Sequence, residues 1–239
     1  MVVTQSNYVP WRGWFEMLGR ADCWVVLDSV QYTRRDWRNR NRIKTKDGLA
    51  WLTIPVRPGN HRETAIDEVL IDGTAWIDRH LETLRHAYRK AKHFDDVMPW
   101  LEAQFLAARE MGRLSAFNVL LTQSFLARLG VDVVVRRDTD LLGRDVLSSL
   151  DPTQRLVRLA VAVGAERYVT GPAARGYMDE TAFATQSISV EWMDYGLQEP
   201  YPQLWGKFEP AVSIIDLMMN LGDDAPEWIG RRGPSAPGN

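Results

Sequence analysis

The chain opens on an apolar run, "MVVTQ", that reads as a buried first strand, and a loop, "SNYVPWRG", follows it. Pro10 forces the residue before it out of the helical region and Gly13 relaxes the backbone, so the strand cannot run on. "WFEMLGRA" then predicts a short helix, and "CWVVLDSV", rich in β-branched residues between Asp22 and Asp28, a second buried strand. "AWLTIPV" reads as a further strand, ended by the Pro58, Gly59 and Asn60 cluster. In "TAWIDRHLETLRHAYRKA" the apolar residues Trp76, Ile77, Leu81, Leu84, Ala87 and Tyr88 recur at helical spacing behind a capping Thr74. Helices over about 94–110 and 114–129 follow, with Gly130 closing the second. From 131 onward the pattern alternates. "VDVVV" is a strand, "DPTQRLVRLAVAVG" a helix opened by Asp151 with Pro152 at its first position, "RYVTG" and "ISVEWMDY" are strands, and "VSIIDLMMNLG" is a helix.

Continuous apolar strands alternating with helices predict an α/β fold: a single domain with a central, largely parallel sheet and a substantial helical layer. Its strands are expected near 1–5, 23–28, 131–135, 166–170 and 188–194, with helices filling 75–129. Residues 1–228 are read as this one domain and 229–239, "IGRRGPSAPGN", as a disordered tail. At 239 residues, 45% hydrophobic and 25% charged, the chain has the composition of an ordinary globular protein with a sizeable core. It has no apolar run near the roughly 18 residues of a membrane span and no basic-then-apolar leader, so a cytoplasmic protein with no membrane partner is expected.

Cys23 is the only cysteine, which excludes an intramolecular disulfide and a cysteine-built metal site; within an apolar strand it reads as a small hydrophobe. On one helix His80 and His86 fall on different sides, and His86 and His93 are about 10 Å apart along the axis, so no metal is expected there. The sequence has no glycine-rich phosphate loop, and no cofactor is expected.

Charge changes the picture. Residues 31 to 62 hold nine Lys and Arg against Asp36 and Asp47, a local +7 in a chain of net charge -2. The densest part is "RRDWRNRNRIK", residues 34–44. Read as a strand, 38–44 puts Arg38, Arg40, Arg42 and Lys44 on one face and Asn39, Asn41 and Ile43 on the other. Such a row is tolerable only against solvent, carboxylates or a bound anion. Asn39 and Asn41 favour a specific site, since asparagine is disfavoured in strands and needs partners when buried. With a pI of about 6.1, a nucleic-acid partner is not expected and a discrete anionic ligand fits better.

Loops beyond the strands supply the other candidates. Asn7 can read a polar group, and Tyr8 and Trp11 can stack on a sugar or heterocycle, just past the first strand where open α/β sheets bind ligands. Asp28, Gln31 and Tyr32 follow the second strand in the same way. "TGPAARG" places Gly171 where a helix start could hold an anion. "YPQLWGKFEP", with Gln203, reads as an aromatic lid or wall. Glu209 is the candidate general base for an amine and Asp194 its competitor; either equally serves as a salt-bridge partner of the arginines.

The segments "QSNYVPWRGWFE", "DSVQYTRRDWRNRNRIKT", "WLTIPV", "YVTGPAARGYMDE", "EWMDY" and "FEPAVSIIDLMMN" stand in the order and approximate spacing of the WbqC-like family of bacterial polysaccharide and natural-product gene clusters, which the chain resembles from about Val2 to Gly222. The resemblance implies a cytoplasmic α/β protein acting on amino-bearing sugars or related metabolites, with acyl or aminoacyl transfer onto an amine. It also marks His80, a histidine in the family, as a candidate base. Thr4 and Ser6 stand where many members have histidine and proline, so a mechanism needing that histidine would not carry over. The expected activity is a transferase: an anionic donor, carrier-bound or nucleotide-bound, on Arg38, Arg40 and Lys44, and a small-molecule amine entering near Asn7 and His80. An acyl or peptidyl carrier protein is the expected macromolecular partner. Two alternatives stay open: a non-catalytic accessory module binding a carrier protein or nucleotide-sugar, and a nucleotidyltransferase or ligase.

Overall fold

The computed structural model describes residues 1–57 and 64–230. Its strands are β1 (Val2–Thr4), β2 (Cys23–Val26), β3 (Arg40–Thr45), β4 (Gly48–Thr53), β5 (Val134–Arg137), β6 (Arg167–Thr170) and β7 (Ser189–Trp192). Its α-helices are α1 (Arg12–Gly19), α2 (Ala75–Tyr88), α3 (Phe94–Ala107), α4 (Leu114–Arg128), α5 (Asp138–Leu141), α6 (Arg144–Ser149), α7 (Pro152–Ala162), α8 (Glu180–Ala184) and α9 (Ile214–Leu221). Five strands pair in parallel in the order β5-β2-β1-β6-β7. Four lie where the apolar runs placed them, and β5 overlaps its expected span but starts three residues later and runs on into Arg136 and Arg137.

Those runs are continuous because both faces of the sheet are covered. Val2, Trp24, Val26 and Val169 point into one apolar layer with side chains of α1 to α4 and α9. Met1, Val3, Val25 and Tyr168 point into a second layer with Leu147, Leu156, Val157, Leu159 and Phe183 of α6 to α8. Each fully buried aliphatic side chain contributes about 1.5–3 kcal/mol relative to exposure, so a charge at any of these strand positions would break one layer. The Asp151 carboxylate accepts from the Gln154 N–H at 2.9 Å and starts α7 as expected, and Gly130 closes α4 at φ 65°. Thr74 precedes α2, but its side chain makes no capping bond.

Strands are added outward from β1 in both directions: β2 and β5 on one side, β6 and β7 on the other. The order therefore reverses between β1 and β6, which opens a crevice at the carboxyl ends of the strands. β3 and β4 form a separate antiparallel hairpin, paired from Arg40↔Thr53 to Thr45↔Gly48 around the turn Lys46-Asp47. Asn41, Ile43 and Leu52 form its buried face, while Leu49 and Trp51 are exposed on the other. The strand expected over 38–44 starts only at Arg40; Arg38 and Asn39 lie in the preceding turn, so Arg38 does not continue the row. The Pro58–Asn60 cluster and residues 231–239 of the expected tail lie outside the described residues.

Candidate functional site

A cavity of about 600 Å³ lies at the carboxyl ends of the parallel strands. Its wall comes from the loop after β1 (Asn7, Pro10, Trp11), the loop after β2 (Trp37), the loop after β7 (Tyr195, Gly196, Gln198) and the segment before α9 (Phe208, Pro210, Ala211), with Asn41 of β3. Trp11 and Tyr195 meet edge-to-face, ring centroids 4.9 Å apart. Gly171, after β6, backs this wall: a Cβ there would stand 3.6 Å from the Tyr195 hydroxyl. The lining is mainly apolar, with four aromatic side chains and three side-chain amides, and no carboxylate, imidazole or cation lines it among the described residues.

The loop after β1 is held in an unusual shape. Val9 has φ 39°, a left-handed value that a β-branched residue adopts only when its surroundings impose it. Asn41 imposes it by donating from Nδ2 to the carbonyls of Tyr8 at 3.1 Å and Val9 at 3.0 Å. The Tyr8 N–H donates to the Trp37 carbonyl, and the Ile214 N–H to the Pro10 carbonyl. Asp28 ties the same loop at its start: one carboxylate oxygen accepts from the Ser6 N–H at 2.8 Å, the other from the Ser115 hydroxyl of α4. Asp138, at the end of β5, accepts from the Ser29 N–H at 3.1 Å and from the Thr139 N–H. Burial pushes both carboxyls up from the ordinary aspartate value.

Asn7 is the polar group this scaffold presents. Its Oδ1 accepts from the Arg38 guanidinium at 2.9 Å, and its Nδ2 makes no hydrogen bond within the described protein. Arg38 is itself largely buried and lies 3.6 Å from Asp36. A cation donating to the amide oxygen draws electron density from the nitrogen, which makes the N–H pair a stronger donor.

Other expected site residues turn inward or away. The Tyr8 hydroxyl donates to His80 Nδ1 at 2.8 Å, and His80 Nε2 donates to the Thr53 carbonyl at 3.2 Å. Burial lowers His80 to about 4, so it is a neutral, doubly bonded packing residue outside the cavity lining and is not placed to serve as a base. Tyr32 is buried and Gln31 exposed, both away from the cavity lining. The Asn39 amide donates to the Ile54 carbonyl at 2.9 Å, closing the hairpin.

The arginine row separates as well. Arg40 stacks over Trp51, 4.2 Å from the ring centroid, and Arg42 lies beside both Trp37 and Trp51, at 5.8 and 5.7 Å. Lys44 is buried; its ammonium donates to Gln203 Oε1 at 2.7 Å and to the Lys207 carbonyl. Gln203 in turn donates to the Tyr201 hydroxyl and the Glu209 carbonyl. Tyr201 and Tyr88 each donate to buried Asp216 at 2.9 Å. Lys44 and Gln203 thus fasten the wall segment 201–209. Glu209 accepts from the Ala211 N–H at 3.0 Å, and exposed Asp194 caps a short turn through the Gly196 N–H, so neither carboxylate faces the cavity. Gly171 opens only a five-residue 3₁₀ turn, Pro172–Gly176. Burial raises the Cys23 thiol above its usual value, against a nucleophilic role.

The model of the WbqC-like protein family matches residues 5–227, nearly all of the chain. The chain belongs to the WbqC-like family. A relative in Mycobacterium tuberculosis, named uncharacterized protein Rv1507c, is 42% identical over 229 residues, 96% of either chain. No solved structure matches. In this WbqC-like chain the cavity residues that sequence assigned to no site are Trp37, Tyr195, Gly196 and Gln198, while Asn41 and Phe208 lay in stretches marked for a site without being assigned to it individually. Asn41 carried a signal, an inward asparagine in a strand. Tyr195 and Gln198 carried none, because only the path of the chain after β7 brings them beside Asn7. No described helix is long and apolar enough to cross a membrane.

Proposed function

We propose that the protein is a transferase that moves an acyl or aminoacyl group from an activated, carrier-bound or nucleotide-bound donor onto an amine of a sugar or natural-product intermediate. The reading is carried by Asn7, whose Nδ2 has no partner among the described residues and is polarised by Arg38 in the wall of a cavity with four aromatic side chains. When the amine attacks, the carbonyl carbon becomes tetrahedral and its oxygen takes up negative charge. A preorganised N–H donor in a water-poor site stabilises that oxygen more than the starting carbonyl. Trp11, Tyr195 and Phe208 offer faces and edges for the apolar side of a sugar or acyl chain, and Gln198 a polar contact. Attack forms the new C–N bond, collapse of the tetrahedral intermediate then breaks the carbon–leaving-group bond, and the amine proton departs with the leaving group or to water. With no base in the lining, the amine has to arrive neutral, so kcat/KM should rise with pH up to the pKa of the acceptor amine.

Amide formation from an aminoacyl-pantetheine thioester and a 2-amino sugar, read by mass spectrometry, tests the reading. Asn7→Ala should lower kcat about 100- to 1000-fold, the scale of losing one oxyanion donor. Unchanged product formation in that variant would remove the assignment. The lack of a titratable carboxylate or imidazole in the lining favours a second reading, an accessory module that binds the same ligands without turning them over. Ligand binding with no product from any donor would select it. A nucleotidyltransferase or ligase draws support only from the strand order.

A further inference from the structure

Five cations of the charged stretch, Arg34, Arg35, Arg40, Arg42 and Lys46, form no ion pair with any described carboxylate. They do not neutralise the acidic remainder of the chain; their charge stays at the surface. Beside them Trp37 (41%) of the preceding loop and Leu49 (42%) and Trp51 (46%) of the hairpin are exposed, an apolar centre rimmed by arginine. The enrichment of tryptophan and arginine is that of an interface core.

We propose that this outer face of the β3–β4 hairpin docks an acidic protein that carries the acyl donor on a phosphodiester-linked arm. The partner rests on the transferase reading; the surface itself does not. Charge complementarity selects the class: five cations that pair with no described carboxylate attract a compact acidic surface. Continuity with the cavity selects the arm, because the Trp37 ring stands in the aromatic cluster of the hairpin and also lines the cavity. An arm leaving a partner seated on Trp51 passes Trp37 and places its end beside Asn7. Single-stranded RNA, the other polyanion, needs open ring faces for its bases. Here Arg40 covers Trp51 at 4.2 Å, and Trp37 and Trp51 lie against each other at 5.7 Å.

Calorimetry with the full chain and a holo acyl carrier protein, at 50 and 300 mM salt, tests the docking, with a 12-nucleotide single-stranded RNA as competitor. The expected result is carrier binding that weakens at least tenfold at the higher salt and at least tenfold more in the Arg40→Glu/Arg42→Glu variant. Trp51→Ala, which keeps the charge, should lose affinity as well. The proposal is overturned if the carrier does not bind, if RNA binds more tightly, or if charge reversal in the folded variant leaves affinity unchanged. Circular dichroism establishes folding, and the salt dependence of the unaltered protein stands as a separate measurement. Parallel turnover with free aminoacyl-pantetheine thioester keeps the two readings apart. Product without carrier binding overturns the docking alone, and carrier binding without product overturns the transferase alone.

Discussion

Tyr8 and His80 are bonded where water does not reach, and the consequence is a pH dependence of stability. His80 titrates at about 4 in the folded protein because burial penalises its charged form, against about 6.5 in an unfolded chain. Between these values the unfolded state binds the proton first. The stability that neutral His80 provides is therefore complete above about pH 6.5 and is lost as pH falls through about 4, by up to about 3 kcal/mol. Asp28, Asp138 and Asp216 pull the other way, since their raised carboxyls let the folded state take up protons sooner as pH falls. Urea melts between pH 4 and 7 should show the His80 contribution as a slope that His80→Leu flattens. A slope unchanged in that variant would mean that another group sets it. Tyr8→Phe, which leaves Nδ1 buried without a donor, should cost about 1–3 kcal/mol at neutral pH by the same measurement.

At the scale of elements, the segment 201–209 is a wall because Lys44, Gln203, Tyr201 and Asp216 form one buried chain of polar contacts between β3 and α9. Lys44→Met strips Asp216 of its nearby positive charge and Gln203 of its partner. It should destabilise the protein by about 1–3 kcal/mol, because the Gln203 and Lys207 oxygens lose a charged donor, and Lys44→Met/Asp216→Asn should recover the part that comes from the lost neighbouring charge. Urea denaturation of the two variants checks the pair. Sequence could not assign Lys44 this role. Alternation put it correctly on the outer side of its strand, but the segment that buries it arrives from 159 residues further along. The central parallel strands β1, β2 and β6 were legible for the opposite reason: an element buried on both faces writes its burial into consecutive residues. Arg38 lay between these cases, since the turn that holds Arg38 and Asn39 before β3 brings its guanidinium to Asn7.

For the whole molecule, the cavity is the place where separate parts of the chain are joined, so a ligand that fills it should stabilise all of them together. A bound aryl glycoside at 100 times its Kd should add about 2.7 kcal/mol to unfolding and raise Tm. Trp11→Ala should abolish that rise in a thermal-shift measurement while the protein stays folded, since Trp11 is only half-buried. The distance along the chain between Asn7 and Ala211, which face one space, also sets an order of events during synthesis. β1 is the first strand to leave the ribosome and the middle strand of the finished sheet, and it must wait for β6 before its second edge is paired. The cavity has to wait longer still, until Phe208 to Ala211 emerge. A nascent chain stopped anywhere before residue 208 has its first loop without its far wall, so binding competence arrives all at once and only after every strand of the sheet has been made.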